Sequence, residues 1–397
     1  MKSACPYCFT RLGVKEVVYR CTSGTCQMEP DRAATELAGY DVATTRMFRQ
    51  VISESVPALP SMIPCRVCNS ACTQEVCPTC HQDLPPRWRD RRVFTMAVTG
   101  ARGAGKSVYI AVAVEMLSRY AKVRGWTVSP ETTGTQEVYA ERYYKPLFKE
   151  NKVMDGTPPL SGGGAYQRDP MIWTVAGLPE GPLEIVMRDA AGEDLEKLAG
   201  ARPDYSFIDR ADLAIFLFDP MLLDSVSQVL TGIIPDVDDT RLGDKPSEVL
   251  PKVLAQTHSG VTNFALVISK FDAMQQLPQA KNPLAAVFAN PAAHFNQDAT
   301  MQRAALPPAQ AAVEFEADSV FLDAEVRSMF ERINERSVTL FADQALHDRR
   351  IAQLRHFVSS AVGECPIHAN QLTERGISPF RVLDPILWGL GLKGIQF

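Results

Sequence analysis

The sequence predicts a three-layer α/β/α domain preceded by two small cysteine-rich modules, and three observations carry that expectation. Apolar runs of strand character, "RVFTMAVTG", "PLEIVMRDAAG", "ADLAIFLFDP", "TNFALVISKFD" and "LRHFVSSAVG", alternate with helical patterns, the mark of a sheet with crossover helices. A glycine-rich stretch, "TGARGAGKS", joins the first run to the helical "VYIAVAVEML". Nine of the ten cysteines fall between Cys5 and Cys80. The expected organisation is a first module over 1–30, a linker over 31–62, a second module over 63–92, the α/β domain over 93–363 and an apolar tail over 364–397.

At 397 residues, 46% hydrophobic and 22% charged, the chain is long enough for two or three domains with a sizeable core. A net charge of −5 argues against a surface devoted to nucleic acid or anionic membrane, although "PPRWRDRRV" is a local basic patch. The opening "MKSACPYCF" has no leader pattern, and no apolar run approaches the ~18 residues of a membrane span, so a cytoplasmic location is expected. In that compartment clustered cysteines hold metal rather than form disulfides.

The first cysteine set is "CPYC" (Cys5, Cys8) with "CTSGTC" (Cys21, Cys26), and the second is "CRVC" (Cys65, Cys68) with "CPTC" (Cys77, Cys80). Two residues between cysteines let a tight knuckle present both sulfurs to one ion, and a second knuckle completes the tetrahedron of Zn²⁺. The expectation is one structural zinc per set, with Cys72 and His81 as bystanders and an iron–sulfur cluster left open by ligand type. The modules resemble zinc ribbons, which implies partner docking or nucleic-acid contact.

"GARGAGKS" matches G-x-x-x-x-G-K-[ST], with a strand before it and a helix after. Such a loop turns backbone N–H groups inward around phosphates: Gly100, Arg102, Gly103, Ala104, Gly105 and Val108 belong to the cradle. Lys106 bridges the β- and γ-phosphates and Ser107 binds Mg²⁺. Further on, "VMRDAAGED" ends a strand with Asp189 and places Gly192 three residues later, as a Mg²⁺-linked carboxylate and a γ-phosphate-sensing N–H require. "FALVISKFD" ends another strand with Ser269, Lys270 and Asp272, and "RHFVSSAVG" a third with Ser359, Ser360 and Ala361.

In order and strand context these motifs resemble those of the Ras-like and translation-factor P-loop GTPases. The resemblance implies a GTPase domain over 93–363, with Asp272 accepting hydrogen bonds from guanine, the Lys270 stem packing on the base and the backbone around Ser360 and Ala361 contacting it. It implies GTP/GDP and Mg²⁺ as ligands and hydrolysis of GTP as a switch. The paired ribbons, the "DAAGED" form and the apolar tail "RVLDPILWGLGL" together resemble bacterial double-GTPase proteins, a group associated with conflict or defence systems.

Several residues depart from that pattern. Ser269 stands where Asn or Thr is usual, which weakens a tie to the phosphate loop. Glu193 follows Gly192 where many relatives carry a water-orienting glutamine, so hydrolysis is expected to be slow, partner-activated or dependent on another group. Arg102 either stabilises developing charge in cis or faces solvent. The residue of the first switch is placed at Thr157 or Ser161, with Thr132 and Thr133 as alternatives. A catalytically weak scaffold and a nucleic-acid-binding NTPase using "RWRDRR" are the other readings. "GTQEVYAERYYKPLF" is read as a helical insertion whose aromatics pack, "DAEVRSMFERINERSVTLFADQAL" as one helix, and the tail as a strap docked on its own domain or a partner-binding segment.

Overall fold

The computed structural model describes residues 3–152, 154, 169–235, 243–365, 372 and 376–396. Seven strands form the central sheet: β1 (Arg92–Gly100), β2 (Thr127–Pro130), β3 (Met171–Ala176), β4 (Leu183–Asp189), β5 (Leu213–Phe218), β6 (Asn263–Ile268) and β7 (Gln353–Val358). Their order is β7-β6-β5-β1-β4-β3-β2. Strands β4, β1, β5, β6 and β7 run parallel, whereas β3 is antiparallel to both β4 and β2. Inner strands are buried along nearly their whole length because helices cover both faces, which is why they read as unbroken apolar runs. The short edge strand β2, "TVSP", lacks that signal and was not anticipated.

The helices that frame the site are α1 (Lys106–Val123), α2 (Gly192–Glu196), α3 (Pro246–Leu254), α4 (Phe271–Met274), α5 (Pro308–Arg332), α6 (Arg336–His347) and α7 (Asp384–Leu392). The single helix expected through residue 346 is two: α5 begins at Pro308, and the chain breaks at Asn334, whose φ of 61° no regular helix accepts. Residues Thr133–Lys149 are helical, as expected of the insertion, but Tyr139–Lys149 winds as a wide π-type helix. Its aromatics do pack: Tyr139 stands edge-on to Trp173 at 4.9 Å and donates to Ala111 O at 3.0 Å.

The tail docks in cis. Helix α7 is buried from Asp384 to Leu390, and a Cβ at Gly389 would lie 3.0 Å from Leu213 and Phe94, so the helix approaches β5 and β1 as closely as glycine permits. Ahead of it, Arg381 is 1% exposed and pairs with Asp318 at 2.9 Å and with Asp384.

The cysteine-rich segment is tied together by a three-stranded antiparallel sheet in which Glu16–Arg20 lies between Met47–Val51 and Gln74–Val76. Its inner part merges with the main core. Trp88 is fully buried and donates Nε1–H to Ala4 O at 2.7 Å, and Phe9 packs edge-on against Phe207 at 5.7 Å.

Candidate nucleotide site and cysteine centres

The candidate site lies at the carboxyl end of β1, between β4 and β5, where parallel strands open a crevice on either side of their first member. Three glycines shape the candidate phosphate loop: Gly100 (φ 140°), Gly103 (φ 74°) and Gly105 (φ 85°). At Gly100 a Cβ would fall 2.5 Å from Leu217 O, so the turn out of β1 tolerates no side chain. Lys106 opens α1 and folds back over the loop, donating to Gly100 O at 3.0 Å and Ala101 O at 2.8 Å. Burial pulls its pKa below the ordinary lysine value, while Asp189 and Glu196 oppose that shift.

Ser107 Oγ donates to Asp189 Oδ2 at 3.1 Å, joining the first turn of α1 to the end of β4. Gly192 lies against the loop, where a Cβ would come within 2.4 Å of Arg102 N. Arg102 and Glu193 face each other, with Nη1 3.9 Å from Oε1 and both side chains more than a third exposed. The backbone N–H of Arg102 donates to Glu196 Oε1 at 2.7 Å, a contact the sequence did not signal. The same carboxylate oxygen accepts from Asp244 N at 3.2 Å, and Lys252 of α3 donates to Glu196 O. Ala104 is buried and Val108 half-buried.

The base-reading candidates meet at the ends of β6 and β7. Asp272, 4% exposed, accepts from Ser360 Oγ at 2.6 Å, and Ser360 Oγ in turn accepts from Gly363 N at 2.8 Å. Lys270 adopts φ 48° and pairs with the buried Asp219 at 2.6 Å. Ser269 Oγ donates to Phe218 O at 3.0 Å, a bond to β5. The loop holding Ala361 is strapped by the tail: Ser360 and Phe380 exchange backbone hydrogen bonds at 3.0 and 2.8 Å, and Ser378 N donates to Val362 O at 2.9 Å. Cys365, unremarked in the motifs, lies beside Asp272; burial and that carboxylate push its thiol up to about 12.

Thr157 and Ser161 lie outside the described residues. Thr132 caps the helix that follows it, accepting from Thr135 N at 3.0 Å. The basic patch is neutralised within the chain: Arg87 faces Asp90 at 3.5 Å, Arg89 pairs with Glu75, Arg91 with Glu184 at 2.9 Å and Arg92 with Glu180 at 2.6 Å.

The cysteine grouping expected from sequence order is corrected. The quartets are Cys5, Cys8, Cys77 and Cys80, and Cys21, Cys26, Cys65 and Cys68, each with sulfurs within 4.8 Å of one another. Neighbouring sulfurs stand 3.6 Å (Cys5, Cys80), 3.7 Å (Cys8, Cys77), 3.5 Å (Cys21, Cys68) and 3.9 Å (Cys26, Cys65) apart. A tetrahedral ion with Zn–S near 2.3 Å holds its sulfurs ~3.8 Å apart, so both quartets fit zinc, and four protein thiols leave no open position. Three knuckles share one turn, closed by Phe9, Asn69 and His81 at φ 57–59°. Because that turn is the same at each "CxxC", local sequence does not dictate which knuckle pairs with which.

His81 and Cys72 stand outside the quartets. His81 Nδ1 lies 2.9 Å from Asp31, the cap of helix Arg32–Ala38. Burial and the Cys21 and Cys65 thiolates push the Cys72 thiol up to about 12. The inner quartet, Cys5/Cys8/Cys77/Cys80, is continuous with the main core, whereas the outer one packs with Val17, Tyr19 and Cys72 in a separate cluster.

No protein-family model matches the chain. Similar solved structures are translation-factor GTPases and a relative. A bacterial selenocysteine-specific elongation factor, EF-Sec, is 10% identical with a TM-score of 0.25 over 69% of this chain and 26% of its own. Translation elongation factor SelB from Methanococcus maripaludis, in complex with the GTP analogue GPPNHP, is 13% identical with a TM-score of 0.21 over 50% of this chain and 26% of its own. The GTP-bound GTPase-like domain of S. cerevisiae Ski7 is 14% identical with a TM-score of 0.25, covering 50% and 38%. The chain thus spans about a quarter to two-fifths of those structures. Among curated proteins, the "Putative ESX-1 scaffolding and assembly protein SaeC" of Mycolicibacterium smegmatis is 30% identical over 391 residues, 97% of this chain and 98% of that protein. With that identity sustained across nearly the whole of both chains, this chain belongs to the family of SaeC.

Proposed function

We propose that the chain is a Mg²⁺-dependent GTP-binding switch that organises protein partners. The observation that carries this reading is the convergence of Lys106, Ser107 and Asp189 at the glycine-shaped loop with a buried Asp272 at the neighbouring strand ends. In this reading the loop amides and Lys106 hold the phosphates, and Ser107 and Asp189 hold Mg²⁺, which offsets phosphate charge when bound. Asp272 accepts the paired donors of guanine; adenine would leave that buried carboxylate unpaired.

Hydrolysis in this proposal is slow. Glu193 accepts a hydrogen bond from an attacking water but donates none to the transition state, and Arg102 Nη1 lies 3.9 Å from its carboxylate. A scaffold that holds nucleotide stably is the second reading, favoured by that pair and by the name given to SaeC. The nucleic-acid reading loses its main support, because each arginine of "RWRDRR" has a carboxylate of its own chain beside it. Assembly of proteins stands in place of a conflict-system role, and the cysteine-rich segment is the proposed partner surface. Among the described residues no helix is long and apolar enough to cross a membrane.

The test is binding and turnover of GTP, ATP and XTP by the parent, Asp272→Asn and Lys106→Ala. The reading expects GTP preference in the parent, transfer of preference to XTP in Asp272→Asn, and loss of turnover in Lys106→Ala. Equal binding of ATP and GTP by the parent overturns the base assignment.

A further inference from the structure

Arg188 is 4% exposed, and among the described residues no carboxylate pairs with it. Its Nη1 donates to Tyr7 O at 2.6 Å, inside the Cys5–Cys8 knuckle, its guanidinium covers the Phe207 ring at 3.9 Å, and its Nε has no acceptor. Burial works against its charge, and the Cys8, Cys80 and Cys5 sulfurs are the neighbours that favour it once they are thiolates; the nearby Tyr205 phenol is held protonated by its own burial. A buried guanidinium without a counter-charge is costly. Four thiolates around a divalent ion form a net dianion, whereas four protonated thiols carry no charge at all.

We propose that the metal-loaded inner centre is the counter-anion of Arg188, and that this pair makes metal at the inner centre part of the framework of the phosphate site. The link is one residue long. Successive side chains on a strand point to opposite faces, so β4 presents Arg188 to the knuckle and Asp189 to Ser107. The outer quartet packs in its own cluster, apart from the main core. Arg188 is therefore a positioning residue: it holds the end of β4 between two charged centres and touches no nucleotide. The inference about metal retention is independent of which nucleotide the chain binds.

The experiment uses the full chain purified with zinc, in a Cys65→Ser/Cys68→Ser background that leaves the inner centre as the remaining quartet. Zinc release to a chromogenic chelator is timed for Arg188, Arg188→Gln and Arg188→Lys. Glutamine keeps a donor for Tyr7 O without charge, and lysine keeps the charge. The expected result is release at least about tenfold faster in Arg188→Gln, the scale of lost support around a metal ligand, with Arg188→Lys within about threefold of the parent. Parental release from Arg188→Gln overturns the proposal, and so does equal acceleration in both variants, which would assign the effect to packing. If Arg188→Gln does not fold, Arg188→Lys decides alone: parental release supports the pairing and accelerated release overturns it.

A second arm measures affinity for a fluorescent GDP analogue. Removing the inner centre by Cys77→Ser/Cys80→Ser is expected to weaken binding at least about tenfold, with the outer-centre variant within about threefold. Equal weakening overturns the coupling and leaves nucleotide binding in place. A parent that binds no GDP analogue overturns the nucleotide reading, and zinc release still decides the role of Arg188.

Discussion

Gly192 leaves no room for a side chain, because its Cα rests on the phosphate-loop backbone and a Cβ would lie 2.4 Å from Arg102 N and 2.7 Å from Ala101 C. Backbone cannot rotate away as a flexible side chain does, so Gly192→Ala must displace either the loop or α2. The expected cost is about 1–3 kcal/mol of stability, with nucleotide affinity reduced at least about tenfold at temperatures where the variant is folded. Calorimetry and fluorescent-nucleotide titration check the two separately; unchanged affinity would mean the loop does not need α2 against it. At the base end, Cys365 reports on Asp272. Its thiol stands at about 12 because of burial and the carboxylate beside it, so little thiolate exists near pH 8. Removing that charge in Asp272→Asn lowers the thiol pKa, raises the thiolate fraction and speeds alkylation by iodoacetamide. A rate equal to the parent's would place Cys365 out of the carboxylate's reach.

At the scale of elements, Glu196 joins three segments: the phosphate loop through Arg102 N, residues 243–244 through Asp244 N, and α3 through Lys252. A carboxylate on a loop amide both ties the loop down and places negative charge where phosphate charge would come. Glu196→Ala therefore has two expected effects of opposite sign. The nucleotide-free chain melts lower, by about 1–3 kcal/mol for the amides left without their acceptor, while affinity for nucleotide rises. Scanning fluorimetry with and without GDP measures both, and a drop in affinity would show that the carboxylate supports the bound state. Nothing in "AGEDLEKL" singled out Glu196, because its role depends on a segment some fifty residues away in the chain. Strand runs such as "RVFTMAVTG" and the loop after it were legible because burial on both faces and glycine turns leave local marks. The cysteine pairing was not, since three identical knuckle turns can combine in any order, and it takes long-range contacts, the sheet joining Glu16–Arg20 to Gln74–Val76 and the bonds of Trp88 to Ser3 and Ala4, to bring Cys5 to Cys80.

For the whole molecule, the decisive long-range feature is the tail, which runs back across the candidate base-reading loop before entering the core. Phe380 pairs with Ser360, the residue whose hydroxyl holds Asp272, and the next residue, Arg381, is buried among Asp318, Asp384 and the carbonyls of His294 and Gln297. The strap is thus anchored by a charge cluster on one side and shapes the candidate guanine site on the other. Arg381→Met keeps much of the volume and leaves Arg303 as the remaining guanidinium beside the half-buried Asp318 and the buried Asp384, so about 1–3 kcal/mol of lost stability is expected. Adding Asp384→Asn removes one of those charges and should restore part of the loss, a coupling that a double-mutant cycle reads directly. Because the strap and the base loop share the Ser360–Phe380 hydrogen bonds, both variants should also bind GDP more weakly when folded, with affinity for inorganic phosphate or pyrophosphate nearly unchanged. Equal loss for GDP and pyrophosphate would mean general loosening of the domain, whereas loss confined to GDP assigns the tail to recognition of the base.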